Sequence, residues 1–337
     1  MDIISKKVLL DADKRFYKGN MHCHTTISDG NLSPAEIKDL YKSNGYSFVA
    51  FTDHEVTVNH SDLDDDKFIA ITSQELTIKE FPEVSTFVNR KMKVCHLNIY
   101  SKTQNNTLHI CYDPVLDKYS KGELRESINK LGGDYTRVYT AECINEIIRT
   151  ANENGFFVCY NHPRWSLENY CQYSNYNGLW GVEIFNTSCH TGGLYEYNIN
   201  VYDDFLRDGK RVFASCGDDN HNGRKDYFGA FVMVNTESLT YDNIIDGLLK
   251  GNFYSSTGPE IYSLYVENGY VHINCSNAKH IHYSTEGRRA AFTDADGDGY
   301  INSAKFKIDE TDGYFRLDVI DEHGNRANTQ GYFLDNF

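Results

Sequence analysis

Histidines and carboxylates follow one short apolar segment after another in this 337-residue chain. One such segment ends at Asp53 and His54, another at Glu75, and a third at His162. Helix-forming stretches separate these segments. Polar side chains gather in this way when the strands of an α/β fold end at a common edge. The pattern therefore predicts an α/β protein whose functional site lies at the strand ends.

His22 and His24 directly follow a predicted strand at residues 15–21. Side chains alternate along a strand, so both histidines point to one face and can bind one metal ion. A carboxylate, Asp29, follows on the next loop. A His-x-His pair alone is weak evidence, because two histidines on one strand face can equally be packed or solvated.

Helix signals lie between the predicted strands. Ser33 and Pro34 open a helix that is expected to end near residue 43, and Gly155 closes another at residues 141–154. Further helices are predicted at about 195–208 and 241–251. Residues 101–138 interrupt the alternation of predicted strands and helices. This interruption predicts an insertion, of the kind that often forms a lid or specificity loop.

The sequence pattern changes after Pro259, where short runs of alternating apolar and polar residues are separated by turn residues. We predict a large α/β domain at 1–258 and a small antiparallel β domain at 259–337. No low-complexity linker separates them. The β domain is therefore expected to pack on the larger one rather than swing freely.

The charge balance, 33 Lys and Arg against 48 Asp and Glu, gives a formal net charge of -15. This excludes tight, non-specific binding of nucleic acid. It does not exclude a small phosphorylated substrate, because bound divalent cations can supply local positive charge. The oligomeric state cannot be predicted.

Nine scattered cysteines without a Cys-x-x-Cys pair predict free thiols in a reducing compartment. The N-terminus lacks the pattern of a secretory signal, and no segment has the apolar length of a membrane span. We expect a cytoplasmic protein without a membrane partner.

Taken together, the residues at the predicted strand ends form a set of imidazoles and carboxylates that contains no thiolate. Such a set suits Zn, Mn or Fe. Taken singly, His54 could cap a helix, His162 could be a core residue, and Asp219 could be a turn acid. Together they favour a metal site. The candidate metal ligands are His22, His24, Asp29, His54, Glu75, His96, His162, Asp219 and His221.

These motifs resemble those of the PHP superfamily of metal-dependent phosphoesterases, named for its polymerase and histidinol phosphatase domains. The matching segments occur in the family's order and span residues 16–258. They are His22-Cys23-His24, Ser28-Asp29-Gly30, Thr52-Asp53-His54, Glu75, His96, Asn161-His162-Pro163 and Gly217-Asp218-Asp219-Asn220-His221. One departure is Asp218, where the family commonly has serine. Either acid could then be the ligand, and the spacing to His221 favours Asp219.

The resemblance implies a distorted (β/α)7 barrel with a small C-terminal all-β domain and a centre of three metal ions. The implied ligand sets are His22, His24, Glu75 and Asp219 for one ion, Glu75, His96 and His162 for a second, and Asp29, His54 and His221 for a third. Asp53 would orient a ligand from the outer shell. The predicted catalytic residues are Asp53, Arg164 and His221.

The family's usual reaction is hydrolysis of a phosphate ester by a hydroxide that bridges two metal ions. We expect a small phosphomonoester or nucleotide bisphosphate as substrate. Arg164 is the first candidate to bind its phosphate, although a surface salt bridge would explain this residue equally well, and Arg224 is a second candidate.

Two other functions stay open. The chain resembles most a PHP subgroup that includes carbaryl-hydrolase-like enzymes, so hydrolysis of carboxyl, amide or carbamate esters is an alternative. Some PHP domains have lost their metals and serve structural or regulatory roles, but here the ligand set is complete.

A second metal prediction concerns the C-terminal domain, where Asp294, Asp296 and Asp298 resemble the start of a calcium loop. Position twelve of that loop is Lys305, where the pattern requires a glutamate. A Gly-Asp turn between strands would explain the same residues.

Overall fold

A computed structural model describes residues 6–337 and shows a mixed α/β protein in which strands outnumber helices. The strands are β1 Lys7–Leu10, β2 Arg15–Asn20, β3 Phe48–Phe51, β4 Ile69–Lys79, β5 Val94–Ser101, β6 Phe156–Tyr160, β7 Gly181–Asn186, β8 Phe213–Gly217, β9 Phe231–Thr236, β10 Phe253–Ser256, β11 Ile261–Glu267, β12 Tyr270–Ala278, β13 His280–Thr285, β14 Ala290–Asp294, β15 Ile301–Lys307, β16 Tyr314–Ile320, β17 Arg326–Asn328 and β18 Tyr332–Phe333. The helices are α1 Pro34–Ser43, α2 Glu123–Glu126, α3 Ala141–Glu153, α4 Tyr170–Tyr173, α5 Thr187–Cys189, α6 Ile199–Arg207 and α7 Tyr241–Leu249.

Strands β2 to β8 lie side by side in chain order. The first and last of these strands, β2 and β8, meet just beyond their ends, where Cys23 forms a parallel bridge with Asn220. The His24 N–H donates to the Asn220 carbonyl at 3.1 Å, and the Asp219 N–H donates to the His22 carbonyl at 2.8 Å. The continuations of β2 and β8 thus close a ring of seven strands.

The α/β class is confirmed, but the regular strand–helix alternation of a (β/α)7 barrel is not. Strand β5 runs antiparallel to both β4 and β6, whereas the other neighbours in the ring are parallel. An antiparallel neighbour needs only a loop, whereas a parallel one needs a crossover. The connection between β4 and β5 accordingly contains no helix, only the loop 80–93.

The helices form where local signals favour them. Ser33 and Glu36 make a reciprocal capping box at the start of α1. Helix α3 buries Ile144, Ile147, Ile148 and Ala151, which recur at the spacing of one helical face. The helix expected at 195–208 begins instead at residue 199, because residues 190–194 form a π-helical turn followed by a left-handed residue, Tyr195.

Strand β9 begins at residue 231, directly after three residues whose N–H groups are bound elsewhere. The N–H groups of Phe228, Gly229 and Ala230 donate to the carboxylate of Asp218 at 2.8–3.1 Å instead of entering a strand ladder. Phe228 has a positive φ of 65°. A buried acid therefore decides where this strand begins.

The C-terminal strands share sheets with the rest of the chain. Strand β1 pairs with β11 in a four-stranded sheet, and β17 pairs with β10, which extends the large sheet through β16, β13 and β14. All nine cysteines are free thiols. Among residues 6–337, no helix combines the length and the hydropathy that crossing a lipid bilayer would require.

Candidate metal centre

The His-x-His segment lies on the continuation of β2 and is completely buried. The Nδ1 atom of His22 lies 3.0 Å from a carboxylate oxygen of Glu183 on β7. This contact fixes the ring and leaves its Nε2 atom facing His24, whose Nε2 lies 3.3 Å away. The two histidines thus converge, as their alternation on a strand predicts. Sequence analysis did not single out Glu183, which is the acid that orients a ligand from behind.

Glu75 of β4 is at the centre of the cluster, which we call the cage, and is 1% exposed. Five imidazoles surround its two carboxylate oxygens. The nearest nitrogen–oxygen distances are 3.0 Å for His54, 3.1 Å for His96, 3.3 Å for His22, 3.3 Å for His162 and 3.4 Å for His24. Asn161 donates from Nδ2 to the same carboxylate at 2.8 Å, which holds its orientation.

The choice between the two neighbouring acids is clear from their contacts. An Asp219 oxygen lies 3.0 Å from His24 Nε2 and 3.3 Å from His22 Nε2. The Asp218 carboxylate instead accepts hydrogen bonds from the hydroxyls of Tyr41 and Thr187, at 2.8 and 2.7 Å. Asp219 has a positive φ of 52°, a strained conformation for this residue. The structure places Asp219, rather than Asp218, in the cage.

Asp29 completes the outer side of the cage. Its two oxygens lie 3.4 Å from His221 Nε2 and 3.7 Å from His54 Nε2. The loop that carries Asp29 is held by Asp53, whose carboxylate accepts from the backbone N–H groups of Thr25 and Ser28 at 2.7 and 3.2 Å. Asp53 is 2% exposed and acts on loop geometry rather than facing the cage.

The donor atoms fall into overlapping groups in which all members lie within 4.8 Å of one another. The groups in the cage are His24, Asp29, His54 and His221; His22, His24 and Asp219; and His22, Glu75 and His162. His96 lies beside the third group through Glu75. All nine predicted ligands are thus brought together, with His22 and His24 each shared between groups.

The cage fits divalent cations. Its donors are imidazole nitrogens and carboxylate oxygens, which suit Zn, Mn or Fe. The buried Nδ1 atoms of His54 and His96 make no hydrogen bond with any residue that the structure describes, although each lies close to a Glu75 oxygen. Buried ring nitrogens are normally paired. A bound ion would give these two nitrogens a partner.

Proton affinities in the cage are divided: neighbouring carboxylates raise the pKa of His162 and of His221 to about 9 against burial, whereas two other histidines shift the opposite way. Burial and the neighbouring His24 lower the pKa of His54 to about 3. Burial lowers the pKa of His96 as well, against the attraction of Glu75. Burial would raise the pKa of Glu75, but the surrounding imidazoles, first among them His96, hold it well below its usual value. Metal ligation requires the neutral imidazole and the ionised carboxylate, so an ion bound here would compete with the protons on His162 and His221.

A cleft of about 980 Å³ opens above the cage. Four cationic side chains line it: Lys79, Arg90, Lys118 and Arg224. Arg224 is fixed there by donating from Nη2 to the Ser188 carbonyl at 2.8 Å. Arg164 does not line the cleft. It is an exposed residue whose backbone N–H donates to Glu196 at 3.0 Å.

Tyr119 is a cleft residue that sequence analysis missed. Its ring is stacked on His54, with centroids 5.5 Å apart and an interplanar angle of 16°. Its hydroxyl donates to Asp29 at 3.3 Å. Tyr119 belongs to the insertion at 101–138, which is anchored by the buried ion pair between Arg137 and Glu55 at 2.6 Å. The prediction of a specificity loop was the only available signal for it.

The chain was compared with known proteins. No protein-family model and no curated protein match it. Among solved structures it is similar to a two-domain protein from Bacteroides vulgatus that contains a predicted PHP-like metal-dependent phosphoesterase. That likeness has 13% identity and a TM-score of 0.43, and it covers 99% of this chain and 91% of that one.

Two further solved structures show lower coverage of this chain. A proposed metal-dependent phosphoesterase from Bifidobacterium adolescentis has 16% identity and a TM-score of 0.41, covering 68% of this chain and 95% of that one. An amidohydrolase from Chromobacterium violaceum, with bound sulfate and no metal, has 14% identity and a TM-score of 0.39, covering 62% and 89%. The structural neighbours thus include PHP-like metal-dependent phosphoesterases, the family that the sequence motifs resemble.

Proposed function

We propose that this chain is a metal-dependent hydrolase of the PHP type, with a distorted barrel of strands around a centre of up to three divalent ions. The observation that carries the proposal is the cage around Glu75, in which nine imidazoles and carboxylates converge and two buried ring nitrogens lack hydrogen-bond partners. Zinc and manganese are the ions that we expect to support activity.

Divalent ions in such a cage supply Lewis acidity and a means of deprotonating water near neutral pH. The chain's own residues hold the ligands in place. Glu183 fixes the ring of His22, Asn161 fixes the carboxylate of Glu75, and Asp53 fixes the loop that presents Asp29. This support keeps the ligands in position before substrate arrives.

We propose a small phosphate ester, such as a phosphomonoester or a nucleotide bisphosphate, as the substrate. The support is that four cationic side chains line the cleft beside the carboxylates of the cage, in a chain whose net charge is -15. Arg224 replaces Arg164 as the residue proposed to hold the phosphate, because its guanidinium lies at the cleft and can make a forked contact with phosphate oxygens.

The same cleft has apolar side chains at its mouth, among them Phe87, which is 86% exposed, and Leu167, which is 45% exposed. A contiguous patch of exposed apolar side chains can mark a ligand-binding groove. These side chains favour a substrate with an apolar or aromatic part, which keeps carboxyl and carbamate esters as the second candidate.

The test begins with metal analysis of the purified chain, followed by assays with zinc or manganese. The substrates are a phosphomonoester, a nucleotide bisphosphate, a short oligonucleotide, and aryl carboxyl and carbamate esters. We expect turnover of a small phosphate ester and little activity on the oligonucleotide. Hydrolysis of carboxyl or carbamate esters with every phosphate ester untouched would replace the phosphoesterase proposal by the second candidate.

We also propose a cytoplasmic location. The support is that all nine cysteines are free thiols, most of them buried, which suits a reducing compartment. Localisation of a fluorescently tagged chain in the native host tests this directly.

A further inference from the structure

A second group of metal-capable side chains lies on the C-terminal strands, away from the strand ends that build the cage. His280 and His282 are two residues apart on β13, so they share one face of the sheet. Asp294 ends β14 and is the cross-strand partner of His280. Three ligand-type side chains are thus brought together by the pairing of two neighbouring strands.

The distances between these groups suit a common ion. His280 Nδ1 lies 2.7 Å from an Asp294 oxygen, and the two imidazole centroids are 5.9 Å apart. One ligand atom from each of the three residues lies within 4.8 Å of the others. The side chains of His280 and Asp294 are about half exposed, so an ion can reach them from solvent.

The neighbouring acid on the other side of β13 is already occupied. Asp318 is the cross-strand partner of His282, but both of its oxygens accept from Arg316 at 2.7 Å. Asp294 is therefore the available carboxylate. Another His–acid pair of the C-terminal region, His323 with Glu322 at 3.8 Å, has only two members and provides a natural comparison.

The same geometry disfavours the calcium loop. Calcium takes oxygen ligands, whereas Asp294 here faces an imidazole. Within residues 6–337, no converging group of three ligands contains Asp296 or Asp298. Lys305, at position twelve of that loop, lies over the ring of Tyr270. Two imidazoles and one carboxylate are instead a donor set for zinc and related transition metals.

We propose that His280, His282 and Asp294 bind one divalent transition-metal ion such as zinc, separate from the ions of the cage. This ion would hold β14 against β13. Strand β14 is at the end of the large sheet and pairs with β13 alone among the described strands. An edge strand is the least restrained part of a sheet. An ion bound across the two strands stabilises their pairing through mass action.

The test is the amount of zinc retained by the full-length chain after equilibrium dialysis against graded concentrations of Zn²⁺. We expect His282→Ala and His280→Ala each to retain one zinc fewer per chain than wild type. The matched control, His323→Ala, changes an exposed histidine of the same region and should retain the wild-type amount. Equal zinc content in His282→Ala and His323→Ala would overturn the proposal.

A second readout separates this site from the cage. Hydrogen exchange of β14 amides should slow on addition of Zn²⁺ in wild type and in His323→Ala, but not in His282→Ala. The loss of one zinc in His282→Ala should persist in a Glu75→Gln background, where the cage is impaired. If β14 exchange responds to Zn²⁺ equally in His282→Ala and in the control, the ion does not tie these strands.

Discussion

Two buried clusters of charged side chains, the cage around Glu75 and an ion network around Arg316, differ in what completes them. Arg316 is 5% exposed. Its guanidinium donates to both oxygens of Asp203 on α6, at 2.8 and 2.9 Å, and to Asp318 at 2.7 Å. The network is therefore satisfied within the chain. The cage keeps two ring nitrogens without hydrogen bonds.

The comparison distinguishes a structural cluster from a binding site. Burying charge is costly unless it is paired, so a folded chain normally pairs buried charges in full. The Arg316 network follows this rule and joins α6 to β16. The cage departs from this rule, because the buried carboxylate of Glu75 is surrounded by imidazoles rather than by a guanidinium or ammonium group. We infer that the cage is completed by cations from outside the chain.

Replacing Glu75 by glutamine should have the largest effect. The carboxylate lies within 3.4 Å of five imidazoles, so its loss removes ligation from more than one ion. Changes outside the ligand shell already cost about 10–100-fold in metal affinity or activity. We therefore expect turnover to fall more than about 100-fold, with bound metal reduced. Metal analysis and steady-state kinetics measure both quantities.

The control for this change is Glu322→Gln, an acid that is about half exposed in its pair with His323. It should leave metal content and turnover unchanged, and circular dichroism should show that both variants are folded. Full metal content and undiminished turnover in Glu75→Gln would show that the cage is not the metal centre.

Replacing Arg316 by alanine should instead lower stability and leave the site chemistry intact. The change leaves Asp203 and Asp318 without their cation, and breaking a buried pair costs about 3–5 kcal/mol in the free energy of unfolding. Denaturant-induced unfolding measures this loss. Turnover at low temperature should stay close to wild type, since Arg316 does not line the cleft.

Arg207→Ala is the matched control, because this arginine lies on α6, the helix that carries Asp203, but is about half exposed, 3.8 Å from Asp204. An exposed pair of this kind contributes about 0–1 kcal/mol. A similar small loss in both variants would mean that the Arg316 network does not hold α6 to the C-terminal strands.

The contrast between these clusters also explains what the sequence could predict. Most of the nine cage ligands were identifiable because they stand at or just beyond the end of a strand, and strand ends meet at one edge. Glu75 is an exception, because β4 runs on to Lys79 instead of ending at this acid as the sequence predicted, and Asp29 lies on a loop. Strands that carry several buried residues were recognisable as short apolar runs in the sequence. Such features depend on local sequence and on a general rule of topology.

Features that depend on tertiary contacts were not predictable. The antiparallel course of β5 follows from a hairpin whose apolar strands look like any buried strand. The exposed position of Arg164 follows from the contact of its backbone with Glu196, more than thirty residues away. Tyr119 reaches His54 from the insertion at 101–138, which a buried ion pair between Arg137 and Glu55 anchors. Local sequence patterns contain no information on such contacts between residues far apart in the chain.

Arg224→Ala should have a smaller effect than either cluster variant and should act on substrate binding. Losing a charged hydrogen bond to phosphate costs about 1.5–3 kcal/mol, which corresponds to roughly 10–150-fold. We expect KM to rise by such a factor with a smaller change in kcat. Arg164→Ala, which alters a cation outside the cleft, is the control. A larger KM effect from Arg164→Ala would restore the phosphate role that the sequence suggested for it.

Tyr119→Phe should have the smallest effect on turnover. The substitution keeps the ring stacked on His54 and removes only the hydroxyl that donates to Asp29 at 3.3 Å. A net hydrogen bond contributes about 0.5–1.5 kcal/mol, and the long distance at a partly exposed acid favours the lower end. We expect kcat to fall about two- to threefold with little change in metal content.

Tyr119→Ala sharpens the test, because it removes the ring as well as the hydroxyl. The ring covers His54 on the side of the cleft, so its loss opens this part of the cage to water and should lower kcat further than Tyr119→Phe does. Equal activity in the two variants would assign the contribution of Tyr119 to its hydroxyl alone. Wild-type activity in both would mean that the insertion at 101–138 shapes the cleft without affecting the chemistry of the cage.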